Sequence, residues 1–270
     1  MWTATRSSAA IALLSASLLV AACPPARARA STDDVRVGFA GSATGAEITK
    51  VTNIGTADTT QKVVTAHGGA IVARRSTVTG NVAADYPDYD GARNGDRAVI
   101  AVSNATSTDE LAPGAAAFEF GADLRLDATN QGTASDNGNN VFQRGLYGDT
   151  AQFKLQVDGN HVSCRVKGDL GAADVWSPRR LKAARWYRAS CARQLVTDGD
   201  QLVLTLRPFK ADGTLGTALV SRSTVTQVGN LSFDVATPLS IGGKLDPDLT
   251  VDASADQFNG RLDNAFLRIP

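Results

Sequence analysis

Apolar and polar residues alternate one for one through much of the chain. From Ala116 to Leu126, Phe118, Phe120, Ala122, Leu124 and Leu126 fall on one side, and Glu119, Gly121, Asp123 and Arg125 on the other. Phe153, Leu155 and Val157 alternate with Gln152, Lys154 and Gln156; Leu202, Leu204 and Leu206 with Gln201, Val203 and Thr205; and Ala265, Leu267 and Ile269 share a side at the end of the chain. A period of two marks a half-buried β-strand. Shorter candidates lie at 35–40, 69–74, 98–103, 141–145 and 238–242. Asp158-Gly159-Asn160, Asp198-Gly199-Asp200, Asp212-Gly213 and Asn259-Gly260 supply turn chemistry between apolar runs. Many short strands with no helical period between them predict an all-β fold, an antiparallel two-sheet sandwich or a barrel. Residues 42–65 read as loops with at most one edge strand, and 127–140 as a long loop.

The first 30 residues depart from this pattern and read as a secretion signal. Arg6 precedes an apolar run from Ile11 to Ala22, and Ala28-Arg29-Ala30 before Ser31 has the small-x-small form of a cleavage site. Val20-Ala21-Ala22-Cys23 resembles a lipoprotein box, which would instead leave the protein lipid-anchored through Cys23. The apolar run is short of the about 20 residues a spanning helix needs, and no other stretch reaches that length. The expected mature protein is a secreted, extracellular single domain, residues 31–270, without a transmembrane segment. Of 27 basic residues, loss of Arg6, Arg27 and Arg29 leaves 24 against 27 acidic ones, a net charge of −3. That balance excludes nucleic acid as a partner class. Glutamate occurs only at 47, 110 and 119, so 24 of the 27 acids are aspartates, residues of turns rather than of helices.

Cys164 and Cys191 each sit within strict alternation, Cys164 between Val162 and Val166 and Cys191 on the side of Tyr187 and Ala189. Two inward cysteines in an exported chain are expected to form a disulfide. The closed loop of about 28 residues would stabilise the fold by roughly 3–4 kcal/mol in the chain-entropy model. A redox or metal pair is disfavoured, because CxxC spacing is absent and the only histidines are His67 and His161.

Three segments, in order, resemble a known family. Trp186-Tyr187-Arg188-Ala189, Pro238-Leu239-Ser240-Ile241-Gly242-Gly243 and Phe258-Asn259-Gly260-Arg261-Leu262-Asp263 with the alternation beyond it look like the strands of laminin-G-like, concanavalin A-like lectin/glucanase jelly rolls. The resemblance covers about residues 115–270 and is closest to exported actinobacterial proteins of unassigned function. It implies a two-sheet antiparallel jelly-roll sandwich. It also implies a structural calcium between the terminal strands, with Asp263 and Asp34 (or Asp33) as candidate ligands and no cofactor required. Some relatives hydrolyse or cleave polysaccharides, but no Glu-x-Asp-x-x-Glu strand occurs here. Glu119 and Asp123 share a strand face at about 13–14 Å, too far for a retaining acid pair. No lyase Gln-x-His strand and no Gly-x-Ser-x-Gly elbow is present.

The reading adopted is a non-catalytic binding module for a glycan or for a cell-envelope or extracellular protein. A polysaccharide-degrading enzyme on the same fold, and a purely structural surface protein, are the alternatives. Arg144, Tyr147 and Trp176 are the candidate ligand-binding residues, with Tyr86 and Tyr89 as further loop aromatics that could stack on sugar faces. Trp186, at a strand start, is expected in the core.

Overall fold

A computed structural model describes residues 1, 32–76, 78–79, 82–88, 95–128, 139–251 and 254–270. Residues 2–31 with Cys23, Tyr89 and most of the 127–140 loop lie outside the described residues. The strands are β1 (Val35–Val37), β2 (Thr59–Ala66), β3 (Val72–Arg75), β4 (Val82–Asp85), β5 (Arg97–Asn104), β6 (Phe118–Leu126), β7 (Asn139–Arg144) and β8 (Gln152–Asp158). The second half adds β9 (His161–Lys167), β10 (Ala172–Arg180), β11 (Tyr187–Val196), β12 (Gly199–Pro208), β13 (Leu219–Arg222), β14 (Leu239–Ile241) and β15 (Gly260–Arg268). Among the described residues there is no helix, and hence none long and apolar enough to cross a membrane.

The strands form two antiparallel sheets. One runs β13-β12-β11-β6-β15-β4-β3, with β1 added to β15 beyond β4; the other runs β10-β9-β8-β7-β14-β5-β2. β9 faces β11 and β12, β10 faces β12 and β13, and β6 faces β7, so the sheets stack as a sandwich. The predicted fold class is therefore the observed one.

The alternation delivers the core between the sheets. Phe118, Phe120, Leu124 and Leu126 of β6 meet Phe142 of β7 and Phe153 and Leu155 of β8. The Phe120 and Phe153 rings lie 5.1 Å apart and Phe153 and Phe233 meet edge to face at 5.8 Å. Each phenylalanine so buried contributes about 1.5–3 kcal/mol. Cys164 of β9 and Cys191 of β11 close a disulfide across the two sheets, with 6.2 Å between their Cα atoms. The β8–β9 hairpin turns at Gly159 and Asn160, with φ of 52° and 70°, the two positive φ values that a twist-matched two-residue turn requires.

Three strands were not expected from the pattern as separate elements: β4, β10 and β13. β2 is the edge strand allowed for within 42–65. β10 was hidden because Pro178 and the polar run Ser177–Arg180 interrupt its alternation, and the ladder to β9 carries an irregularity between Trp176 and Arg180. Asn259-Gly260 is not a turn but the start of β15; a Cβ on Gly260 would lie 2.2 Å from the Arg125 carbonyl oxygen.

Candidate functional site

The outward side of the seven-stranded sheet carries a row of polar residues at right angles to its strands. Asp174 of β10 pairs in register with Arg165 of β9, Arg165 with Lys154 of β8, Lys154 with Gln143 of β7, and Gln143 with Ser240 of β14. Two residues along, Trp176 stands opposite Ser163. All of these occupy the positions left over when Phe142, Phe153, Leu155, Cys164 and Val175 turn inward.

At the centre of this face lies a groove of about 300 Å³ lined by Gln143, Tyr147, Gln152, Lys154, Lys244, Asp246 and Asp256, among others. Its floor is a chain of amides. Asn140 donates to Gln143 Oε1 at 2.7 Å, and Gln143 and Gln152 both donate to the Gly145 carbonyl, at 2.7 and 3.1 Å. Gly145 has φ of 76°, and a Cβ there would strike the Ala151 carbonyl oxygen at 2.2 Å, so glycine is required for that carbonyl to face both amides. Gln152 Oε1 and Asn140 Oδ1 are buried and have no protein partner among the described residues.

One wall is ionic. Asp256, at φ of 47°, holds Lys154 at 3.5 Å and Lys244 at 3.3 Å with the same Oδ2. These contacts are long, so both ammonium groups keep donors to spare. Burial pulls the Lys154 pKa below the usual lysine range, and Asp256 opposes that shift. At the rim Tyr147 is 77% exposed, with Arg165 over its ring at 5.2 Å. Its turn is clamped by Lys167, which donates to the Asp149 carbonyl at 2.5 Å and to that of Tyr147 at 3.3 Å. Arg165 also binds Asp174 at 2.6 Å. Trp176, 47% exposed, thus belongs to the same face, on the outward side of the edge strand β10 and not on a loop.

Of the three ligand-binding candidates, the structure brings Tyr147 and Trp176 to one face and takes Arg144 away from it. Arg144 is fully buried. Its Nη1 lies 2.8 Å from Asp109, its Nε donates to the Thr237 carbonyl at 3.1 Å, and its guanidinium carbon sits 4.4 Å from the Phe233 ring centre. It shares the inward side of β7 with Phe142, two residues before it, and so belongs to the core. Tyr86 is buried too and donates to the Ile241 carbonyl. Trp186 is buried against Ala83 and Phe209, as the sequence led us to expect.

The calcium candidates are not neighbours. Asp34 Oδ2 accepts from the Ile269 amide and its Oδ1 from Thr56, and Asp33 is held by Arg36 and Arg268. Because Val35 pairs with Leu267, Asp34 lies level with Arg268, five residues from Asp263 and about 16 Å along the strand. Among the described residues no group of three or more His, Cys, Asp or Glu side chains could hold a metal ion.

Asp263 instead pairs in register with Asp123 of β6, an arrangement that sequence spacing could not reveal. Asp123 accepts Arg188 Nε at 2.6 Å, Arg188 Nη2 at 2.8 Å and Asn264 Nδ2 at 2.8 Å. A bulge in β15 after Asp263, with Asn264 at φ of 52°, aims that amide at Asp123. Asp263 lies at the floor of a hollow of about 580 Å³ beneath the 38–52 segment. Burial pushes its pKa up to about 6; hydrogen bonds from Thr79 and the Asn264 amide act against the shift, and Asp123 adds to it. Glu119, on the same outward side of β6, is held by Arg268 at 2.9 Å.

No family model matches this sequence, and no curated protein matches it. Solved structures resemble it in fold at low identity. The binding domain of Paraclostridial Mosquitocidal Protein 1 is 13% identical at a TM-score of 0.53, over 88% of this chain and 49% of that one. Botulinum neurotoxin type C, whose uptake into cells depends upon interaction with two ganglioside molecules, is 8% identical at 0.53, over 88% and 48%. The LG1–3 region of the laminin alpha2 chain is 14% identical at 0.43, over 57% and 28%. The chain spans about half the length of the toxin structures. The toxin likenesses show a shared β-sandwich.

Proposed function

We propose that the protein is an exported, non-catalytic binding module whose ligand is a glycan, taken up on the outward face of the seven-stranded sheet. The observation that carries this reading is the groove itself. An unpartnered amide oxygen (Gln152), under-used ammonium donors (Lys154, Lys244) and carboxylate acceptors (Asp246, Asp256) stand around one 300 Å³ space. Positive and negative charges in it balance, which suits a neutral, hydroxyl-rich ligand, each hydroxyl both donating and accepting. Tyr147 and Trp176 supply flat apolar surfaces for sugar faces on the same side of the sheet. The ganglioside interaction described for botulinum neurotoxin type C, which shares the β-sandwich fold, agrees with this class of ligand.

A glycan array followed by calorimetry on residues 31–270 tests the proposal. Saturable binding that Tyr147→Ala weakens about tenfold, the loss of roughly 1.4 kcal/mol, is the expected result. Binding unaffected by Tyr147→Ala and Lys154→Met, or no binding to any glycan, would overturn it. Release of shorter sugars from a polysaccharide would replace it with the enzyme reading.

A further inference from the structure

A second hollow, of about 380 Å³, lies on the outward face of the other sheet and is lined by Glu119, Arg188, Ser190, Thr205, Arg207 and Leu215. Its geometry follows from register. Arg188 of β11 is paired directly with Arg207 of β12, and Ser190 with Thr205. Two guanidinium groups and two hydroxyls therefore occupy the corners of a patch about 5 Å across the strands and 7 Å along them. Like charges placed opposite each other in a sheet are destabilising unless something neutralises them. Arg188 is neutralised by Asp123 through Nε and Nη2, and among the described residues Nη1 has no hydrogen-bond partner. Glu119 at the margin is neutralised by Arg268. Among the described residues Arg207 has no ion pair, and neither the Ser190 nor the Thr205 hydroxyl has a hydrogen-bond partner. The hollow thus keeps one positive charge in excess and several donors around a common space, with Leu215 in its lining.

We infer that this hollow is a binding site for a tetrahedral oxyanion, the phosphate or sulfate group of an esterified ligand, held by Arg207 and Arg188 with Ser190 and Thr205 as hydroxyl donors. A guanidinium and hydroxyl donors together match the several acceptor oxygens of such a group. The ester carbon would lie against Leu215. The site is independent of the glycan groove, which is on the opposite sheet.

The test titrates inorganic phosphate, inorganic sulfate, and a phosphorylated and a sulfated monosaccharide into the protein by calorimetry, with chloride holding ionic strength constant. Saturable binding is expected, weakened tenfold or more in Arg207→Ala and partly recovered in Arg207→Lys. Arg207 is exposed, so its removal leaves the fold intact, which thermal melting verifies. Thr205→Val, which removes one donor and keeps the shape, should weaken binding several-fold. A preference for the phosphorylated or the sulfated sugar identifies the ester. Absence of saturable binding by all four probes, or equal binding by wild type and Arg207→Ala, overturns the inference.

Discussion

The outward faces of the two sheets arise from the same alternation and differ in what becomes of their polar residues. On the seven-stranded sheet, Gln143, Gln152, Lys154 and Asp256 line an open groove with hydrogen-bonding capacity left over. On the covered part of the eight-stranded sheet, Asp123 is taken up by Asn264 and by two nitrogens of Arg188, and the 38–52 segment lies over Asp263. Covering a polar face forces its groups into pairs, since an unpaired buried charge or amide is expensive. A face left open can keep donors and acceptors for a ligand. The contrast separates structural polarity from polarity free to bind, a distinction that residue type alone does not make.

The disulfide joins the two sheets, and its loss should have the largest effect on the comparison. Cys164→Ala with Cys191→Ala is expected to lower stability by about 3–4 kcal/mol in chemical denaturation, with both faces melting together. Asp123→Ala strikes only the covered face. It leaves Arg188 and Asn264 without their acceptor and should cost about 2–4 kcal/mol; a cost below 0.5 kcal/mol would show that the covered network is ornamental. Asp263→Asn should act in the opposite sense. Its carboxyl binds a proton more readily folded than unfolded, so between pH 3.8 and about 6 wild-type stability falls as pH rises. Urea denaturation should find the variant more stable than wild type by roughly 1–3 kcal/mol at pH 7.5 and no more stable at pH 4. On the open face, Tyr147→Ala and Trp176→Ala should each leave the melting temperature nearly unchanged, within about 0.5 kcal/mol, while weakening glycan binding.

The sandwich was legible because strands with one face in the core write a period of two into the sequence. β6, β8, β9, β11, β12 and β15 follow it, and the two cysteines carried their inward direction with them. β10 escaped because Ser177 takes the inward place after Ala173 and Val175 and Pro178 follows it, so that no apolar alternation marks the stretch that carries Trp176. Arg144 illustrates a different failure. Its place two residues after Phe142 already put it on the inward side, yet a charged residue beside Gln143 and Tyr147 looked like ligand chemistry. The interior tolerates it only because Asp109 comes from one distant part of the chain and the Thr237 carbonyl and the Phe233 ring from another. Asp123 with Asp263, and Lys154 with Asp256, meet across strands or loops in the same way. Such partners depend on register and on a bulge, neither of which a linear pattern displays.

The position of the disulfide within the sandwich has one more consequence. β9 and β11 lie toward the end of the sandwich that carries β10 and β13, and the far end, where β2, β3 and β4 lie, has no covalent tie between its sheets. Transient opening of the sandwich is thus asymmetric, like a book bound along one edge. The pages are expected to part at β2, β3 and β4 first, with slower amide exchange in β8–β12. Tyr147 and Trp176 are borne on the bound half, so the candidate ligand face rides on the part of the molecule that breathes least.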